Sequence, residues 1–329
     1  MHDSDSIPVD ARTGVRGIPE HLYIEVAAAC DMDCPMCVTM DHRFGRRKLL
    51  STEDICSGLI EPAARAGVKL LVISGGEPTL RKDLPRILDA GIANGMKVWL
   101  ASNMLNIREL RLRGLVDQLR GNGSIAVSFD SHIAAEMNAM RGGNVFDKVV
   151  ANSRRLVAMA SDASPRLRTA AVIIVQPENI HSVMTTVDYL LEDIGFPMVA
   201  VYMRHDYHYV TVDNAASQTR ADWVRENRRE LIALGLRLFA RAGRDRRVNT
   251  RGTLHDWVNF IEDPQRIERK CQASNHMFFN SEGKLRSCMF GTDVGDVRRD
   301  SFETLLHGEA TAARHRLTDT CRICLLSCN

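Results

Sequence analysis

A chain of 329 residues can form one large domain, or one large domain with a small companion. Its 45% hydrophobic and 26% charged residues are ordinary for a globular protein, and a formal charge of +2 gives no electrostatic footprint for nucleic acid as a main ligand. No apolar run approaches the roughly 18 residues of a membrane span, and the polar start MHDSDSIPVDARTG lacks the apolar segment of a secretory signal; a soluble, cytoplasmic protein without a membrane partner is expected.

The chain divides into an N-terminal extension (1–20), a core (21–245) and a small C-terminal domain (246–329). In chain order the core offers six strand candidates: HLYIEVA (21–27), KLLVISG (69–75), KVWLAS (97–102), SIAVSFD (124–130), RTAAVIIV (168–175) and MVAVYM (198–203). They are near-continuously apolar, as in a parallel sheet covered on both faces. Helical patterns separate them. Residues 51–67 open with a Ser-x-x-Asp capping signature and close on a glycine, and 83–95 also end on a glycine. Six β-α units in a row predict an α/β fold, a partial (β/α)6 barrel, with a doubly wound open sheet as the structural alternative. In either, ligands gather at the carboxyl ends of the strands. Residues 215–245 read as one long amphipathic helix. Then HMFFN (276–280), the turn SEG and KLRSCMF (284–290) form a hairpin with Gly283 at a position needing positive φ, and a short helix, SFETLLHGE (301–309), follows.

Nine cysteines are distributed unevenly. Cys30, Cys34 and Cys37 form C-x3-C-x2-C directly after the first strand, Cys56 stands alone, and Cys271, Cys288, Cys321, Cys324 and Cys328 crowd the end. In a reducing compartment clustered thiolates hold metal more often than each other. Three local thiolates cannot close a four-coordinate site, so they either borrow a fourth ligand, as in a zinc site completed by His42 or a later cysteine, or leave one metal position open for chemistry.

This triplet resembles the radical S-adenosylmethionine (SAM) superfamily, whose C-x3-C-x2-C loop follows the first barrel strand. The resemblance implies a [4Fe–4S] cluster on Cys30, Cys34 and Cys37. SAM would bind the open iron and be cleaved by one electron to a 5′-deoxyadenosyl radical. Further stretches match at strand ends. Ser74-Gly75-Gly76-Glu77-Pro78 resembles the family's GGEP motif, which implies that Glu77 and the Gly75–Gly76 backbone receive the SAM amino group. Ser102 and Asn103, then Ser128 and Asp130, stand where family members meet the methionine or ribose of SAM. The segment from Val172 to Asn179 corresponds to the strand that packs on adenine. Before the third cysteine, where an aromatic residue is frequent, the chain has Met36, whose thioether can pack on the base.

The last five cysteines resemble the Twitch form of the SPASM cluster domain, implying one auxiliary [4Fe–4S] cluster on Cys271, Cys288, Cys321 and Cys324, with Cys328 as a substitute ligand or free thiol. A structural zinc ribbon is the alternative. Cys56, mid-helix, reads as a buried small hydrophobe.

Relatives of this kind mature peptides or act on small, sugar-like metabolites of natural-product and antibiotic biosynthesis. Only about twenty residues precede the first strand, too few for a folded leader-recognition domain, so a carbohydrate-like small molecule is the expected substrate and a flavodoxin- or ferredoxin-type protein the expected reductant. The resemblance implies dehydrogenation, as in the butirosin-pathway aminocyclitol enzyme, or decarboxylation, as in the cytosylglucuronate enzyme, as the expected outcome. Epimerisation and peptide maturation are the alternatives, and a non-enzymatic zinc or iron–sulfur regulator is the rival from another class. For substrate contact, Arg204 suits a carboxylate or oxyanion, His205, His208 or Tyr209 suit proton transfer, and Arg141 in the MRGG stretch is a second anion anchor.

Overall fold

The computed structural model describes residues 18–37, 49–203, 223–248, 251–262, 275–288 and 291–320. Six strands lie where the apolar runs predict them: β1 (His21–Ala27), β2 (Leu70–Gly75), β3 (Lys97–Ser102), β4 (Gly123–Ser128), β5 (Arg168–Val175) and β6 (Val199–Met203). All adjacent pairs among them are parallel and follow chain order, β6-β5-β4-β3-β2-β1. A doubly wound sheet would reverse its order at an internal strand. This one does not, and the result is the parallel sheet of a partial barrel.

That topology corrects one expectation. Right-handed crossovers without a reversal place every connecting helix on the same face, so among the described residues the helices cover only one face of the sheet. Leu71, Ile73, Val98 and Leu100 are buried on that outer face, and Gly91 of a connecting helix comes so close to Leu71 that an added Cβ would lie 2.6 Å from its Cδ2. Of the intervening residues, Val72, Ser74, Val172, Ile174 and Tyr202 are half-buried and Trp99 is 38% exposed. They line the concave inner face. The apolar runs overstate coverage because Val and Ile are retained there for strand propensity as well as for burial.

The helices carry the expected punctuation. Ser51 and Asp54 cap each other at the start of α1 (Thr52–Ile55), with Asp54 N donating to Ser51 Oγ and Ser51 N to Asp54 Oδ2, both at 3.0 Å. A π-helical turn (Cys56–Ile60) then leads to α2 (Glu61–Ala66), which stops at Gly67 with φ +104. Next come α3 (Leu84–Ala93), α4 (Glu109–Leu119), α5 (Ala134–Arg141), α6 (Phe146–Asp162) and α7 (Val183–Asp188). Of the one long helix expected over 215–245, residues 223–245 are described and are not continuous: 223–226 are helical, the chain turns at Asn227, and α8 (Arg228–Ala242) follows; α9 (Arg251–Glu262) packs against α8.

The C-terminal hairpin extends the barrel's own sheet. β7 (His276–Phe279) pairs parallel with the free edge of β1, and β8 (Lys284–Arg286) and β9 (Asp293–Asp296) continue antiparallel. An open edge is thereby covered. Gly283 takes φ +86 at the turn, and Asn280 Oδ1 accepts from both Glu282 N (3.0 Å) and Lys284 N (2.9 Å), which fixes the turn from within. Across the β1–β7 seam, His21 and His276 approach to 2.8 Å between their Nδ1 atoms, and the rings of Tyr23 and Phe278 stand 5.2 Å apart. Helices α10 (Phe302–His307) and α11 (Glu309–Thr320) close the described chain.

Candidate active site

The cysteine loop leaves the carboxyl end of β1. Cys34 is buried and Cys30 and Cys37 are half-buried, and none of the five described cysteines is in a disulfide. Cys30 Sγ receives Met32 N at 3.5 Å and Asn103 Nδ2 at 3.6 Å, and burial pushes its thiol up to about 11. Burial also raises Cys34, opposed by the nearby Arg141 guanidinium. Metal coordination reverses this balance, because a bound cation removes the proton outright. Among the described residues no three His, Cys, Asp or Glu side chains converge as ligands of a single ion do. A cube asks for a different arrangement, one thiolate per iron. Three thiols on one loop, with no fourth thiol beside them among the described residues, fit a [4Fe–4S] cluster with an open iron. Met36 sits half-buried within the same loop.

The glycine motif is stitched to this loop through backbone. Gly76 N donates to Ala27 O (2.7 Å) and Glu77 N to Ala29 O (2.8 Å), tying the segment after β2 to the residues leading into Cys30. The approach excludes side chains: a Cβ would lie 2.4 Å from Ala27 O at Gly75, whose φ is +129, and 2.3 Å from Ala29 O at Gly76. The Glu77 side chain turns inward and is 1% exposed. Its Oε1 accepts from Thr79 N (2.9 Å), Thr79 Oγ1 (2.6 Å) and Ser102 Oγ (2.9 Å), and its Oε2 from Asn103 N (2.7 Å). Burial pushes its carboxyl up while these donors pull it back. Asn103 then spans from Glu77 to the cysteine loop, its Nδ2 reaching Asp31 Oδ1 at 2.7 Å. Glu77, Ser102, Asn103 and Cys30 thus form one connected polar network.

A second network lies at the ends of β4 and β5. Arg141 Nη2 is 2.6 Å from Asp130 Oδ2, with Asp130 wholly buried. Asp130 Oδ1 accepts from Ile174 N (2.9 Å), and Asn179 Nδ2 donates to Asp130 O (2.8 Å) and Ile174 O (3.0 Å). Burial works against both charges of the pair; for Arg141, Asp130 and the Cys34 sulfur outweigh it and hold the guanidinium firmly charged. Ser128 and Val172 are register partners, half-buried on the inner face. The expected SAM contacts Gly75, Gly76, Glu77, Ser102, Asn103, Ser128, Asp130 and Val172 therefore all occupy strands β2 to β5 or the loops at their carboxyl ends. Asp130 is already engaged by Arg141.

Arg204, His205, His208, Tyr209, Cys271, Cys321, Cys324 and Cys328 lie outside the described residues. Cys288 is described, half-buried beyond β8. Since β8 runs antiparallel to β7, which is parallel to β1, Cys288 lies toward the amino end of β1, opposite Cys30. Cys56, read as a buried hydrophobe, is half-buried in the π-helical turn, its Sγ 3.9 Å from Arg86 O. Sequence reading missed Asp31, Thr79 and Asn152. Asn152 Nδ2 donates to Met104 O (2.7 Å) and Leu105 O (3.1 Å), holding the loop after β3 where Met104 takes φ +56. Only the local Glu-x-Thr spacing carried a readable signal, since a hydroxyl two residues on can reach back to a side chain.

Comparison with known proteins agrees with this arrangement. The Radical SAM superfamily profile matches residues 24–190, from β1 into the helical segment after β5. A GTP 3′,8-cyclase of Synechococcus elongatus is 26% identical over 288 residues, 84% of this chain and 82% of that protein. A PqqA peptide cyclase of Rhizobium meliloti is 32% identical over 119 residues, which span 36% of this chain and 32% of the relative. Two solved structures share the fold at 14% identity: Streptococcus suis SuiB bound to its precursor peptide SuiA (TM-score 0.70, covering 92% of this chain and 67% of that one) and native anSMEcpe with bound AdoMet (TM-score 0.68, covering 93% and 88%). The chain belongs to the radical SAM superfamily and is a radical SAM enzyme, with SAM and a [4Fe–4S] cluster as the cofactors its family uses.

Proposed function

We propose that this enzyme holds its cluster on Cys30, Cys34 and Cys37 and abstracts hydrogen from a carbohydrate-like small metabolite lying against the inner face of the barrel. The bound cofactors supply a 5′-deoxyadenosyl radical. The chain's own residues do the rest. Gly75 and Gly76 let backbone approach SAM closely, and Glu77 is reassigned from receiving the SAM amino group through its carboxylate to fixing Ser102 and Asn103. Ser128 and Val172 line the inner face beside them. The single observation that carries the substrate reading is that half-open inner face, with Ser74, Ser128 and Tyr202 half-buried and Trp99 exposed along it.

An auxiliary [4Fe–4S] cluster on Cys271, Cys288, Cys321 and Cys324 belongs to the same proposal. Cys288 stands at the opposite end of the sheet from Cys30, and a strand of seven residues spans about 20 Å, so a substrate held between the two ends would have an electron acceptor on its far side. Dehydrogenation or decarboxylation is the expected outcome, with an external flavodoxin- or ferredoxin-type reductant. Arg204 and His205 remain the proposed anion anchor and proton carrier. A second reading, ring closure, is favoured by the names of both relatives, each a cyclase; GTP carries a ribose and so remains within the carbohydrate-like class.

Deuterium tracing tests the proposal. The reconstituted enzyme, SAM and a reductant are incubated with perdeuterated candidate sugars, aminocyclitols and GTP, and 5′-deoxyadenosine is analysed by mass spectrometry. Transfer of one deuterium from any of these supports the substrate class, and the product mass then separates loss of two hydrogens from an isomer formed by ring closure. No deuterium transfer from any of these, with transfer from a deuterated peptide run in parallel, would contradict it.

A further inference from the structure

Arg141 read from sequence as an anchor for a substrate anion. Its surroundings say otherwise. It is 8% exposed at the end of α5, and its guanidinium lies 2.6 Å from the wholly buried Asp130. Asp130 is itself pinned by Ile174 N. Swinging Arg141 out to a substrate would leave that carboxylate buried without its counter-charge, a strongly destabilising change.

What Arg141 faces instead is the cysteine loop. Asp33 N donates to Arg141 O at 3.3 Å, and Cys34 Sγ contacts the same carbonyl at 3.8 Å. The next residue, Gly142, has φ +75, and a Cβ there would lie 1.9 Å from Asp33 O, so the loop and the helix end meet without room for a side chain. The guanidinium thus belongs to the residue whose carbonyl meets the Cys34 sulfur, and its charge opposes the burial that pushes the Cys34 thiol up.

We propose that Arg141 is a positioning residue for the iron–sulfur cluster, docking the Cys34 limb and favouring the reduced cluster through its buried charge. The inference rests on the reading of Cys30, Cys34 and Cys37 as cluster ligands. One-electron reduction adds negative charge to the cluster and its thiolates. A fixed cation, buried on the residue that meets one sulfur, stabilises that added charge and raises the reduction potential. Asp130 holds the guanidinium in place and partly offsets its field.

The test is a redox titration followed by electron paramagnetic resonance on the reconstituted full-length holoenzyme, with iron content and SAM affinity measured alongside. The chains compared are wild type, Arg141→Lys, Arg141→Ala and Asp130→Asn. The cluster that binds SAM is identified by its spectral change on SAM addition. Arg141→Ala is expected to move its midpoint to more negative potential or to lose its iron, with Arg141→Lys in between. Asp130→Asn keeps the acceptor for Ile174 N and removes a negative charge, so its midpoint is expected to move the opposite way. Opposite shifts separate a charge effect from general disruption, and they keep the test decisive should Arg141→Ala fail to fold. Full iron and a wild-type midpoint in Arg141→Ala would overturn the inference. So would weaker SAM binding at an unchanged midpoint, which would assign Arg141 to SAM itself. A wild-type chain that takes up no cluster would instead sink the reading beneath it.

Discussion

Glu77 shows how much one side chain organises here. Four donors from Thr79, Ser102 and Asn103 converge on its carboxylate, and Asn103 passes the constraint to Cys30 and Asp31. Glu77→Ala would leave several buried donors without an acceptor, at about 1–3 kcal/mol for each one left unmade. A fall of several degrees in the thermal midpoint is expected, together with reduced iron uptake, and Glu77→Gln should lie between. Calorimetry and iron assay check both. Gly76→Ala makes a sharper prediction. Its Cβ would meet Ala29 O at 2.3 Å, and the atom in the way is backbone, so the GGEP segment must shift off the cysteine loop. SAM cleavage is expected to fall at least tenfold, on the order of 1.4 kcal/mol or more in the barrier. Wild-type cleavage in Gly76→Ala would show that the close approach is dispensable. The motif residues were legible because a glycine pair and an acid at a strand end are local. Their supports were not: Asn103 and Asp31 are 72 positions apart, and Asn152 reaches a loop 48 positions away.

At the scale of elements, the strands read well because β1 to β6 are apolar and bounded by turn residues. β9, with the sequence Asp-Val-Gly-Asp, has no apolar alternation to read and exists because β8 offers it an edge. Lys284 Nζ bonds Asp296 Oδ2 at 2.6 Å across that pair. Burial alone would raise Asp296, but Lys284, Arg298 N and Arg299 outweigh it and hold its carboxyl below the usual 3.8. A carboxylate held low contributes stability that is present above its unfolded value and lost as pH falls through the folded one. The described C-terminal strands should therefore loosen below about pH 3.8 in the wild type. Asp296→Asn should already lack that contribution at pH 7 and show a flatter profile. Hydrogen exchange at β8, measured against pH, checks the sign; a profile identical in the two chains would contradict it.

For the whole molecule, strand order was the decisive property that sequence left open, since the apolar runs fit a doubly wound sheet equally well. Among the described residues, monotonic order gives one helix-covered face and one face left open by those helices, running from the end where Cys30 lies toward the end where Cys288 lies. The seam of β1 with β7 was equally hidden, because 255 positions separate His21 from His276. It turns a C-terminal hairpin into the next strand of the barrel. The central claim is that the loop at the carboxyl end of β1 holds a SAM-cleaving cluster. Its most direct test is anaerobic reconstitution of the wild type and of Cys30→Ala/Cys34→Ala/Cys37→Ala, with iron and sulfide counted and 5′-deoxyadenosine measured after reduction with SAM present. The account predicts about eight irons per chain falling to about four, with deoxyadenosine formed by the wild type alone. A triple variant that keeps every iron, or still cleaves SAM, would contradict it.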